Sequence, residues 1–131
     1  MTIPLWLLGI HFIADFLLQT DWMAINKSKR WDALTIHVTV YSLAFALLLG
    51  PLFGLITFVT HFVTDTVTSR ITRRLFPWSP SVSDARVYID YEGDPSGLGL
   101  QRSRHWFFCA IGLDQLIHYA TLALTYDYLV L

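Results

Sequence analysis

Histidine and aspartate recur four residues apart in three places: His11 with Asp15, His61 with Asp65, and, in reverse order, Asp114 with His118. On a helix, side chains four apart leave the same face, so each pair presents an imidazole beside a carboxylate. All three pairs sit in apolar stretches, and a lone His37 stands in a fourth. Such groups are costly in hydrocarbon: a charged side chain at the centre of a membrane helix costs about 2.5–3.5 kcal/mol on insertion scales. No lysine or arginine is expected among these carboxylates, so protons, water or divalent cations must balance them. Imidazoles with carboxylates form the donor mix of zinc, iron or manganese, whereas calcium and magnesium favour all-oxygen shells. The expected ligand set is His11, Asp15, His37, His61, Asp65, Asp114 and His118, with zinc the first choice of metal. So many donors suit two ions better than one closed tetrahedral zinc. Carboxylate sites of this kind are built from the facing helices of a bundle. The simpler alternative is a hydrogen-bonded packing network, for which one or two pairs would suffice.

The elements that must position these residues are read from the apolar blocks. The chain has 131 residues, is 54% hydrophobic and only 15% charged, and has a mean hydropathy of +0.49. A soluble domain of this size usually needs less apolar residue than that. A transmembrane helix takes roughly 20 apolar residues. The blocks predict an all-α, polytopic bundle of four transmembrane helices, about 3–24, 31–49, 51–75 and 104–131, forming one domain over residues 1–131. The basic residues cluster around Lys27, Lys29 and Arg30, around Arg70, Arg73 and Arg74, and around Arg86, Arg102 and Arg104. With four spans, all three clusters fall on one side, which the positive-inside rule makes cytoplasmic. The expected topology is N-out and C-out, in a bacterial inner membrane. Counted from these basic anchors at about 1.5 Å per residue, most of the His and Asp side chains lie roughly 10–20 Å above the inner face, so they can meet in one layer.

Smaller features complete the reading. Residues 76–103 contain Pro77, Pro80, Pro95 and several acids, which rule out a fifth span. They read as a cytoplasmic loop with a short strand near Arg86–Tyr91, or as a lid over the inner mouth of the site. Cys109, the sole cysteine, excludes an internal disulfide and is expected as a small buried residue. The first segment lacks a basic n-region and a small-residue cleavage site, so it is not expected to be a removable signal. Thr57, Thr64 and Thr68 share the stripe of His61 and Asp65 and are expected to bond to the helix backbone or to orient those ligands. His105 falls at the interface, outside the site.

The ordered set His11-x3-Asp15-Phe16-x2-Gln19-Thr20-Asp21-Trp22-Met23-Ala24, then His37, His61-x3-Asp65 and Asp114-Gln115-x2-His118 resembles a family of small bacterial and phage membrane proteins catalogued as a domain of unknown function. That resemblance covers all four predicted helices and implies the four-span architecture. It implies no activity. A looser similarity to inner-membrane metal-dependent hydrolases lacks the His-Arg-Gly-x-Thr-His type of motif.

Three functions compete. A metal-dependent hydrolase would use two ions to activate water, with Asp15 or Asp114 left free as general base and Gln19 and Gln115 orienting water or substrate. An inward-opening site would suit membrane lipid or a lipid-linked substrate. A redox di-iron variant has fewer histidines than it needs. A divalent-cation or proton transport component would use the same groups as a relay, and with so few helices it would need a homo-oligomer. A non-catalytic membrane factor would hold a structural metal. Nucleic acid is not an expected partner, because topology accounts for the basic clusters.

Overall fold

The computed structural model describes residues 4–75 and 98–130, and these form helices with no strand among them. Helix α1 (Leu5–Phe12) continues into a π-helical turn, Ile13–Leu17, and α2 (Asp21–Asn26) follows after a break. Then come α3 (Trp31–Leu49), α4 (Pro51–Leu75) and α5 (Leu98–Leu129). Three stretches are long and apolar enough to cross a membrane: Trp31–Leu49, Pro51–Thr72 and Phe108–Leu129. Their outer faces expose Leu47, Leu55, Val59, Val63, Leu116 and Leu124, a surface suited to lipid rather than water. These helices mark the chain as a membrane protein.

The expected unbroken first helix, 3–24, is interrupted. Leu18 donates its N–H to Ile13 O at 2.9 Å, a wider turn than the α-helix makes. Thr20 then adopts an extended backbone and caps α2, its Oγ1 accepting from Met23 N at 3.3 Å. A threonine in that position satisfies one of the orphan N–H groups of the new helix, which favours restarting over continuing. The apolar piece Leu5–Leu17 is therefore about 20 Å long, short of a hydrocarbon core of about 30 Å. The last helix also departs from expectation: residues 98–103, expected in the loop, are helical. Gly99 lies in the first turn, where its flexibility costs little, and the interior glycine of this helix is Gly112, whose cost of about 1 kcal/mol a helix of 32 residues absorbs. The predicted strand and lid fall in 76–97, outside the described residues.

The α3–α4 hairpin is the rigid frame. Gly50 takes a φ of 99°, a conformation open to glycine and strained for other residues, and Pro51 starts α4 where its missing N–H costs nothing. One turn on, a Cβ at Gly54 would stand 2.4 Å from Ala46 Cβ and 2.9 Å from its Cα, so the two backbones approach as closely as glycine permits. Around this turn Leu7, Phe45, Phe53 and Leu122 pack into an apolar core. At the opposite end, Asp32 opens α3, accepting from Ala33 N at 2.9 Å and from Arg30 Nε and Nη2 at 3.0 and 2.6 Å. There Arg70 lies over the Trp31 ring, 3.8 Å from its centroid. Cys109, expected to be buried, is exposed on α5, which turns that side away from the bundle.

Candidate metal centre

The three His/Asp pairs and His37 converge on one region of the bundle, with His11 set behind the others. The π-helical turn carries Asp15, α3 carries His37, α4 carries His61 and Asp65, and α5 carries Asp114, Gln115 and His118. His11, Asp15, His37, His61, Asp65 and His118 are all buried, each 3% exposed or less.

The innermost atoms are His37 Nε2, His61 Nε2, Asp15 Oδ1 and Asp65 Oδ2. The two ring nitrogens are 3.2 Å apart. Asp15 Oδ1 lies 3.1 Å from His37 Nε2 and 3.5 Å from His61 Nε2, and Asp65 Oδ2 lies 3.4 and 3.7 Å from the same two atoms. A tetrahedral ion with ligands at about 2.0–2.1 Å sets those ligand atoms about 3.3–3.4 Å apart. The separations within Asp15–His37–His61, 3.1, 3.2 and 3.5 Å, bracket that value. Two triads, Asp15–His37–His61 and His61–Asp65–His118, each bring three ligand atoms within 4.8 Å of one another, so this cluster can hold a metal ion. His118 Nε2 lies 2.9 Å from Asp65 Oδ1 and 3.5 Å from Asp114 Oδ1, placing Asp65 with one oxygen toward each triad.

The His61 ring is held by packing more than by hydrogen bonds. His61 is sandwiched between Tyr41, with ring centroids 3.9 Å apart and planes 27° off parallel, and His118, at 4.0 Å and 21°. Its Nδ1 has no hydrogen-bond partner among the described residues. Asp15 Oδ1 and Asp65 Oδ2 likewise accept no aligned hydrogen bond, their close neighbours being ring nitrogens and, for Asp65, an ammonium. Buried carboxylate oxygens without aligned donors are costly unless a cation takes their lone pairs.

His11 stands one layer back. Its Nδ1 is 2.7 Å from Tyr41 Oη and its Nε2 2.8 Å from Gln115 Oε1, while Asp15 Oδ2 is 3.8 Å away. A carbonyl oxygen only accepts, which assigns the His11 proton to Nε2 and makes Nδ1 the acceptor for Tyr41. Gln115 then passes the constraint on, its Nε2 donating to Asp15 Oδ2 at 2.9 Å and to Asp114 Oδ2 at 3.3 Å. Gln115 therefore orients carboxylates. Gln19 lies apart from this chain of bonds, its Oε1 buried and without a partner among the described residues.

The threonines divide. Thr57 and Thr64 bond back to Phe53 O and Thr60 O, at 3.0 and 2.9 Å. Thr68 alone of the three reaches a site carboxylate, donating to Asp114 Oδ1. Neither His61 nor Asp65 takes a side-chain bond from them.

The expectation that no cation accompanies the carboxylates is overturned by Lys27. Its Nζ lies 3.1 Å from Asp65 Oδ2, with the side chain only 19% exposed. The break at Leu18–Thr20 redirects the chain so that Lys27, at the C-terminal end of α2, turns inward rather than anchoring at the surface. Burial works to lower its pKa, but the Asp65 and Asp15 carboxylates outweigh that and hold it above the ordinary lysine value. Between α4, α5 and the broken segment lies a cavity of about 210 Å³, lined by Asp15, Gln19, Lys27, Asp65, Asp114 and Gln115 on its polar side. Phe16, Ala24 and Ile111 contribute apolar walls.

No curated protein and no solved structure matches this chain. The family described as "Protein of unknown function (DUF3307)" matches residues 3–131, a span that includes every His/Asp pair, and the chain belongs to that family.

Proposed function

We propose that this membrane protein is a metal-dependent hydrolase whose centre, zinc by donor type with iron or manganese as the other choices, acts on a lipid or lipid-linked substrate. The observation that supports it best is a cluster of ligand atoms at the spacing of a bound ion, opening directly onto a cavity. A structural metal needs no such cavity. The ion would supply an activated water and polarise the scissile group. With Asp15 and Asp65 turned to the inner cluster, Asp114 falls to the general-base role: it lines the cavity, is 17% exposed, and is oriented by Thr68 and Gln115. A second ion would be held by the other triad, His61, Asp65 and His118, leaving Asp114 free. The positive-inside rule favours the cytoplasmic side for the end carrying Arg30 and Arg70.

Transport is the weaker reading. The cavity lies on the Lys27 side, whereas among the described residues Leu7, Phe45, Phe53 and Leu122 form an apolar core toward Gly50. The test is reconstitution in lipid vesicles with zinc, iron or manganese, followed by assay for head-group release from ester and phosphoester lipids. Metal-dependent turnover that chelation and Asp114→Asn both abolish is expected. A metal-loaded protein inert toward every lipid class would contradict the hydrolase reading, and ion uptake into the vesicles would replace it with transport.

A further inference from the structure

We infer that the cavity beside the metal centre is a receptor for a phosphate group, held between the bound ion and the Lys27 ammonium; this rests on the metal-centre reading above and specifies its substrate class. The charge of the lining comes first. Asp15, Asp65 and Asp114 face Lys27, so without an ion the cavity is negative and repels anions. A divalent ion among His37, His61, Asp15 and Asp65 reverses that balance. It also takes over the Asp65 Oδ2 lone pairs that Lys27 Nζ occupies at 3.1 Å. The ammonium is then left on the cavity wall, next to the ion, with no carboxylate of its own.

The remaining lining suits an oxyanion with several acceptor oxygens. Thr72 brings a hydroxyl group to the cavity wall and Gln19 an amide, while the Thr68 and Ser69 hydroxyls are engaged with Asp114 and with the Asp65 carbonyl. Gln19 Oε1 is buried without a partner among the described residues, an arrangement that costs free energy as it stands. Rotating the amide by half a turn presents its NH2 donors instead, and an anion would use them. A phosphate, with more acceptor oxygens than a carboxylate, can take the Lys27 ammonium, the Thr72 hydroxyl and the Gln19 amide together while an oxygen remains for the ion. Size narrows the choice further. At about 210 Å³ the cavity is smaller than the roughly 300–1,000 Å³ typical of pockets for drug-sized ligands. It holds a head group and no more, and the apolar walls at Phe16 and Ile111 lead from it toward the lipid-facing surface, where acyl chains would remain.

The experiment is isothermal titration of two probes, inorganic phosphate and dihexanoyl phosphatidic acid, into the full chain purified in detergent, zinc-loaded and freed of unbound ion. Saturable binding of at least one probe is expected. Lys27→Gln, with zinc still bound, should weaken it by about tenfold or more, and Lys27→Arg should restore most of the loss. Metal-free protein should bind neither. Tighter binding of phosphatidic acid assigns the site to a lipid head group, and equal or tighter binding of inorganic phosphate assigns it to free phosphate. Zinc-loaded protein that binds neither probe, or that binds equally well as Lys27→Gln, overturns the inference while leaving the metal centre standing. Failure of the wild type to retain any divalent ion overturns both.

Discussion

Replacing Lys27 with methionine separates what the ammonium does for the empty site from what it does to an incoming ion. Lys27 Nζ and a metal compete for one atom, Asp65 Oδ2, so an ion can enter only by giving up a buried ion pair at 3.1 Å. We take about 1.5–3 kcal/mol for it, the low end of the range for close charge pairs. Removing the competitor should therefore tighten zinc binding by roughly 10- to 100-fold, at 1.4 kcal/mol per factor of ten. The metal-free protein should suffer the opposite effect. Breaking a buried pair leaves an uncompensated carboxylate, at a cost of about 3–5 kcal/mol, which corresponds to a melting point lower by about 10 °C or more. A chromophoric chelator titrated against the protein in detergent measures the first quantity, and thermal melts with and without zinc measure the second. The signature is a variant less stable than wild type when empty and tighter for zinc. Weaker or unchanged zinc affinity in Lys27→Met would refute the competition between ammonium and ion.

Further outcomes follow from the same geometry. His61→Ala and Asp65→Asn should each lose bound metal in elemental analysis, because both residues contribute to the inner cluster. Gln115→Leu removes the donor to Asp15 and the acceptor for His11, and should lower metal affinity by about 10- to 100-fold without emptying the site; a competition titration reads this directly. Gly54→Leu drives a side chain into the Ala46 backbone and should cost at least about 1–3 kcal/mol, seen as a lower melting point.

The sequence carried the chemistry of the site further than its architecture. Spacings of four on continuous helices brought His61 and Asp65, and Asp114 and His118, to one layer because α4 and α5 are regular there. The α3–α4 hairpin was legible because glycine and proline have few other uses in such a place. The break after Leu17 was not, since Leu18 and Gln19 carry no helix-stopping chemistry. The available signal was Thr20 followed by Asp21, a cap with an acid in the next turn, which reads as a helix start. Missing that break hid Lys27. Beside Lys29 and Arg30 its charge looked like part of an interfacial cluster, and only the redirected chain turns it toward Asp65. The position of His11, behind the inner cluster and bonded to Tyr41 and Gln115, depends on how α1, α3 and α5 pack, which no one-helix pattern contains. Cys109 fails for a related reason: an apolar membrane helix has no hydrophilic face to show which side is outward.

Zinc-edge X-ray absorption on the zinc-loaded, detergent-purified chain tests the central claim most directly. Two imidazole nitrogens and two carboxylate oxygens at about 2.0–2.1 Å are predicted, from His37, His61, Asp15 and Asp65. An all-oxygen shell, or a wild-type chain that retains no zinc after removal of free ion, would contradict it.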